Sequence, residues 1–152
     1  MTIRAYDEIY LSDAQKVLGQ AVDFALLSLK IDADYFGSAF SVSAVSTQFE
    51  AGNPSYISGM NGCELAREVL TKVNITYPDI EDKMYLDKSP EYWAGWALAF
   101  YQWYSSRSFI EILNTVPLSE IIGMYPVFHE MDIMQFADRM DGIFKEKFPF
   151  TR

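Results

Sequence analysis

The one histidine of the chain, His129, stands in Pro126-Val127-Phe128-His129-Glu130-Met131-Asp132, with two carboxylates within three residues. An imidazole beside Glu130 or Asp132 has the makings of a metal corner or an acid–base pair. The plainer reading, a histidine near a helix start bonded to its neighbours, is preferred, because one histidine without a cysteine partner makes a poor transition-metal site. A carboxylate-only magnesium site needs no imidazole, but no acidic spacing singles one out. The one cysteine, Cys63, falls in the first turn of an expected helix, where the helix terminus lowers a thiol pKa. A thiol nucleophile there has only His129 to serve as its base. Against it stands the simpler role of a small apolar residue on the face formed by Leu65, Ala66, Val69 and Leu70. Gly59-Met60-Asn61-Gly62, ahead of the same helix, offers amides to an anion, yet matches neither a P-loop nor a dinucleotide fingerprint and reads as turn chemistry. Serines are frequent without a nucleophile elbow. The small-enzyme alternative therefore rests on Cys63 with His129 or on carboxylates with magnesium. The preferred reading assigns no catalytic residue, no metal ligand and no cofactor.

Aromatic residues offer a different chemistry. Tyr92, Trp93, Trp96, Phe100, Tyr101, Trp103 and Tyr104 crowd one short segment. Core packing is the first expectation for such rings, but they are more than one small core comfortably hides. Part of this face is expected to be exposed as a partner-binding patch or homodimer seam, with Trp93, Trp96, Tyr101 and Trp103 as anchors and Arg107 as a cationic rim. A second candidate surface is the acidic run Asp79, Glu81, Asp82, Asp87 and Glu91, offset by Lys83 and Lys88. It reads as a solvated loop or, more sharply, as a phosphate mimic that fills a basic nucleic-acid channel on another protein. In that version Asp79, Glu81, Asp82 and Asp87 make the contacts, and the chain is an acidic inhibitor of anti-CRISPR or DNA-mimic type.

Composition bounds these readings. The chain has 152 residues, 50% of them hydrophobic and 16% aromatic, with 21 acids against 12 bases for a net charge of 12 − 21 = −9. One domain spanning residues 1–152 is expected from that length, and global disorder is excluded by the aromatic content. Residues 1–76 hold nine acids and five bases, and residues 77–152 twelve and seven, so the halves carry −4 and −5 and the acidity is diffuse. A non-specific grip on phosphate backbones needs a basic footprint that is missing. The N-terminus shows no apolar signal run, and the strongest apolar stretch, residues 93–103, is interrupted by Gly95 and Gln102 and too short to span a bilayer. A cytoplasmic protein with no membrane role is expected. Asn74-Ile75-Thr76 fits a glycosylation acceptor only by accident in that setting.

The elements that must position these groups read as helices. Residues 13–30 carry Ala14, Leu18, Ala21, Val22, Ala25 and Leu29 at helical spacing behind a Ser12/Gln15 capping box, with Asp13, Lys16, Gln20 and Asp23 pointing elsewhere. Asp32 or Asp34 caps a second helix that buries Phe36, Phe40, Val45 and Phe49 and stops at Gly52. Asn53-Pro54 opens a short turn, and Asn61 with Glu64 boxes the start of a helix through Val73. Pro78 breaks the stretch 74–88, where a small hairpin could pair Ile75-Thr76-Tyr77 with Met84-Tyr85-Leu86. Ser89-Pro90-Glu91 starts the aromatic helix, Ser108 and Pro117 start two short ones, and residues 131–147 form the last. The fold expected is an all-α bundle of six to seven helices around a central aromatic helix.

Four segments of this pattern, residues 6–14, 49–56, 89–104 and 125–132, resemble a bacterial family of all-helical domains. Ser89-Pro90-Glu91-Tyr92-Trp93-Ala94-Gly95-Trp96 is the most specific part of the likeness, which extends over nearly the whole chain. In many members this domain precedes a Cro/repressor-type helix-turn-helix. The resemblance implies a regulatory or antitoxin-like role in which the helical domain engages another protein, a toxin or nuclease for instance. It carries no catalytic residues over. This chain ends at Arg152, about where the DNA-binding module would begin, so direct nucleic-acid binding by this part is not expected.

Overall fold

The capping signals written into the sequence decide where most helices begin. The computed structural model describes residues 3–82 and 88–150. Ten α-helices and no strand are found among the described residues, and the fold is all-α.

Helix α1 (Leu11–Asp23) begins before Ser12, which lies inside it. The reason is Asp7, whose carboxylate accepts a hydrogen bond from the Ile9 amide at 3.0 Å and starts a 3₁₀ turn (Glu8–Tyr10) that runs straight into α1. At its far end α1 widens into a π-helical turn (Phe24–Ser28) and stops at Lys30, whose φ is 61°. Asp32 is the cap of α2 (Ala33–Val42), accepting from the Tyr35 amide at 3.1 Å. The single helix expected from there to Gly52 is in fact two. Ser43 adopts an extended ψ of 155°, its hydroxyl donates to the Phe40 carbonyl at 2.7 Å, and it caps α3 (Ala44–Glu50). A serine hydroxyl competes with the helical ladder in this way because it can offer the backbone a partner outside the helix. Gly52 then ends α3 with a φ of 79°, a conformation that glycine adopts without a Cβ penalty.

Asn53 caps α4 (Pro54–Ile57), and Asn61 and Glu64 form the reciprocal capping box of α5 (Gly62–Lys72). Ile75, Thr76 and Tyr77 form no strand, and the other limb of the expected hairpin, residues 84–86, lies outside the described residues. Ser89 and Pro90 open α6 (Pro90–Ser105) as read from the sequence. Four more helices follow: α7 (Phe109–Thr115), α8 (Leu118–Gly123), the single turn α9 (Tyr125–Phe128) and α10 (Ile133–Lys147).

Helix α6 is central, as its all-round apolar surface requires, and α1 lies closest against it. The approach is backbone to backbone. A Cβ on Gly95 would run into the Leu18 carbonyl of α1, and one on Gly19 would meet the Tyr92 carbonyl at 2.9 Å. One hydrophobic cluster joins residues from α1 through α10, with Phe24, Phe36, Phe40, Phe49, Tyr101, Phe109 and Phe136 among its largest buried side chains. No helix among the described residues is long and apolar enough to cross a membrane.

Candidate functional site

The start of α6 is fixed by two bonds through one hydroxyl. Ser89 Oγ accepts from the Tyr92 amide at 2.9 Å and donates to Asp23 at 2.5 Å. Asp23, expected on the outer side of α1, is 1% exposed for this reason. Burial, and then the Asp23 carboxylate, push the Tyr92 hydroxyl above its ordinary pKa. With α6 anchored there, Tyr92, Trp93 and Trp96 face the space between α1 and α9.

Across that space the single turn α9 sets Tyr125 and His129 one turn apart, so that their rings stack with centroids 4.0 Å apart and planes 16° from parallel. His129 Nδ1 lies 2.7 Å from the Tyr125 carbonyl, and Nε2 is 3.7 Å from Glu130. Asp132 is used otherwise, as the cap of α10 accepting from the Met134 amide at 2.8 Å. Trp93 packs edge-on against Tyr125 at 6.0 Å and against Phe136 at 5.4 Å, which fixes it as the floor. Trp96 is half-buried, and its indole N–H makes no hydrogen bond to the described residues.

The result is a cleft of about 430 Å³ whose walls are Tyr92, Trp93, Trp96, Tyr125 and His129 and whose edge carries Lys16 and Lys88. Among the described residues no carboxylate lines it. Lys16, Lys88 and Tyr92 also border an adjoining depression of about 350 Å³ that reaches Asp13, Gln20, Ser58 and Asn61. Lys88 Nζ stands 5.5 Å from the Tyr92 ring centroid, and Lys16 forms no ion pair with the described residues. Two cations thus face one aromatic cleft on a chain of net charge −9.

The other candidates fare differently. Trp93 and Trp103 are each 7% exposed and Tyr101 is 0% exposed, so these three rings lie in the core, because α6 is covered on nearly every side. Trp93 contributes to the cleft only as its floor. Arg107 is no free rim cation either. It pairs with Glu111 at 2.5 Å and lies 3.9 Å over the Phe144 ring. The Tyr101 hydroxyl donates to Asp141 at 2.7 Å, and burial first, then Asp141, raise its pKa. This network ties the end of α6 to α10.

In the acidic run, Asp82 is spent: Arg67 meets it at 2.6 Å and the Asn61 amide at 3.2 Å, and these partners hold its pKa below the usual carboxylate range. Asp79 and Glu81 are exposed, and Asp87 lies outside the described residues. Cys63 is completely buried, and His129 is exposed at the end of α9. In the Gly59–Gly62 turn three amides are already engaged, Gly59 N with the Pro54 carbonyl at 2.8 Å, Asn61 N with Glu64 at 2.9 Å and Gly62 N with Gln20 at 2.7 Å. Among the described residues no group of three or more His, Cys, Asp or Glu gathers as a metal site.

Lys16 and Tyr125 escaped the sequence reading, and Lys88 entered it only as an offset to the acidic run. No local spacing links positions on three separate helices or helix edges. The one signal on offer was the separation of Tyr125 and His129 by one helical turn. Compared with models of protein families, with curated proteins and with solved structures, the chain gives no match.

Proposed function

We propose that this chain is a non-enzymatic protein-interaction module whose docking surface is the cleft between α1, α6 and α9. One observation carries the reading: Trp96, half-buried and with an indole N–H that makes no hydrogen bond to the described residues, opens onto an aromatic cleft edged by two lysines in an otherwise acidic chain. Aromatic anchors in a preformed pocket, with charge at the rim, are the usual energetic centre of a protein interface. The candidate nucleophile points the same way, since Cys63 is sealed in the core, without access to a substrate. The likeness of residues 89–104 and 125–132 to bacterial helical domains found ahead of a helix-turn-helix supports a setting in cytoplasmic regulation, toxin–antitoxin pairing or phage defence. Those segments supply most of the cleft.

The test is quantitative affinity capture from a bacterial lysate with the native chain and with Trp96→Ala. The expected result is a partner retained by the native chain and lost with the variant, both being equally folded by circular dichroism. A partner held equally by both would move the docking surface elsewhere, and repeated captures without any specific partner would overturn the reading.

A further inference from the structure

We infer that the occupant of this cleft is an extended acidic segment of a partner protein, carrying one aromatic or large aliphatic anchor. The inference rests on the docking surface proposed above and names the chemistry of what docks there.

Charge gives the first argument. Lys16 and Lys88 stand at the junction of the two depressions, and among the described residues no carboxylate lines the aromatic one. Neither lysine forms an ion pair with the described residues. On a chain with nine more acids than bases, Asp13 in the second depression is the one described carboxylate that lines either depression with this pair. Complementary charge at such a rim selects partners and speeds their encounter.

Shape gives the second. Because the cations sit between a cavity of about 430 Å³ and one of about 350 Å³, an anion bound to them has room for ligand on both sides. A small aromatic anion fills only one side. In the second depression most polar groups are occupied: Gln20 with Gly62, Asn61 with Glu64, Ser58 with the Pro54 carbonyl. Asp13 remains there as an acceptor for a main-chain N–H.

The far end of α6 gives the third, because there the chain fills an aromatic groove with its own extended segment. Residues 3–6 lie along Trp103 and Tyr104, the Ala5 amide donates to the Trp103 carbonyl at 3.0 Å, and Arg4 stacks 4.2 Å over the Tyr104 ring. There the segment brings the cation. At the cleft the groove supplies the cations, so the segment that completes it brings the anions.

The experiment uses the whole chain and fluorescence anisotropy of four labelled probes. These are a capped five-residue peptide with one phenylalanine followed by two acids, the same peptide with two lysines for the acids, the same acidic peptide with alanine for phenylalanine, and adenosine monophosphate. The acidic aromatic peptide is expected to bind, and the other three to bind about tenfold more weakly or not at all. Lys16→Glu with Lys88→Glu, both exposed and therefore neutral to folding, should weaken that peptide about tenfold and reverse the preference toward the lysine peptide. Equal binding of the acidic and basic peptides, or the nucleotide binding as tightly as the peptide, overturns the inference. So does failure of the acidic peptide to bind the native chain. If Trp96→Ala abolishes binding while the lysine reversal leaves it unchanged, the docking surface stands and its acidic ligand falls. If neither substitution changes peptide binding, the docking surface itself falls.

Discussion

Helix α6 presents aromatic rings at both ends, and the two ends are finished differently. At the C-terminal end the tryptophan edge is used: the Trp103 indole donates to the Tyr6 carbonyl at 2.8 Å, Arg4 donates to the Tyr104 carbonyl at 2.8 Å, and Ser106 bonds to the Ile3 carbonyl, while the buried Tyr6 hydroxyl and Gln102 Oε1 find no partner among the described residues. Residues 3–6 of the chain close that groove. At the N-terminal end the Trp96 indole N–H makes no hydrogen bond to the described residues, and α9 stands across a cleft instead of covering it. The difference teaches that ring content alone does not mark an interface. Rings whose polar edges are satisfied within the chain are structure, and the ring left with an open donor beside cations is the one to test for function.

The sharpest way to break this comparison is to truncate one tryptophan at each end. Trp103 is 7% exposed, bonded through its indole and packed against Phe100 at 5.8 Å, so Trp103→Ala should lower unfolding free energy by about 3–5 kcal/mol. Trp96 is half-buried and its indole makes no hydrogen bond to the described residues, and Trp96→Ala should cost about 1–2 kcal/mol. Urea denaturation of both variants measures the contrast. Equal losses would erase the distinction between a closed end and an open one.

The middle of the helix provides the next test, of smaller effect. Both ends are positioned by the seam in which Gly95 meets the α1 backbone at Leu18 and Gly19. Gly95→Ala gains helix propensity, worth about 1 kcal/mol, but forces apart two backbones that have no flexible side chain to yield. A net loss of about 1–3 kcal/mol is expected in the same denaturation experiment, and a more stable variant would show that the seam can relax.

How much of this was legible in the sequence divides along the line between local and non-local causes. Asp32, Asn53-Pro54, Asn61 with Glu64, and Ser89-Pro90 announced helix starts that the structure keeps, because a cap acts within three residues of itself. The break at Ser43 was hidden because apolar periodicity continues across it from Phe36 to Phe49, while the hydroxyl that interrupts the ladder looks like any helix-surface serine. Asp23 read as an outer-face acid because its partner, Ser89, lies far along the chain. The cleft was least legible of all. Its tryptophans were visible as a group, but which of them is core depends on how α1, α9 and α10 pack around α6, and Lys16 and Lys88 join them only through that packing.

The smallest expected effect lies at the closed end and is a matter of pH. Glu50 borders the depression beside Arg4 and Gln102 and accepts a hydrogen bond from the Phe109 amide at 2.9 Å. Burial raises its pKa above the ordinary glutamate value, and the Phe109 bond offsets this only in part. A carboxyl with a raised pKa in the folded state binds its proton more tightly there than in the unfolded chain. Its contribution to stability is therefore full at pH below the unfolded pKa and is lost as pH rises through the folded one. At neutral pH the ionised Glu50 weighs against the fold. Glu50→Gln keeps an oxygen for the Phe109 amide and removes the charge, so the variant should melt slightly above the native chain at pH 7. The gap should close as the pH falls into and below the glutamate range, where native Glu50 is itself neutral. Thermal melts of the two proteins across that range check both the sign and the convergence. A native chain that melts higher at pH 7, or a gap that widens toward acid, would mean that Glu50 acts as a needed counter-charge for the Arg4 segment, and that the closed end is held by ion pairing as well as by rings.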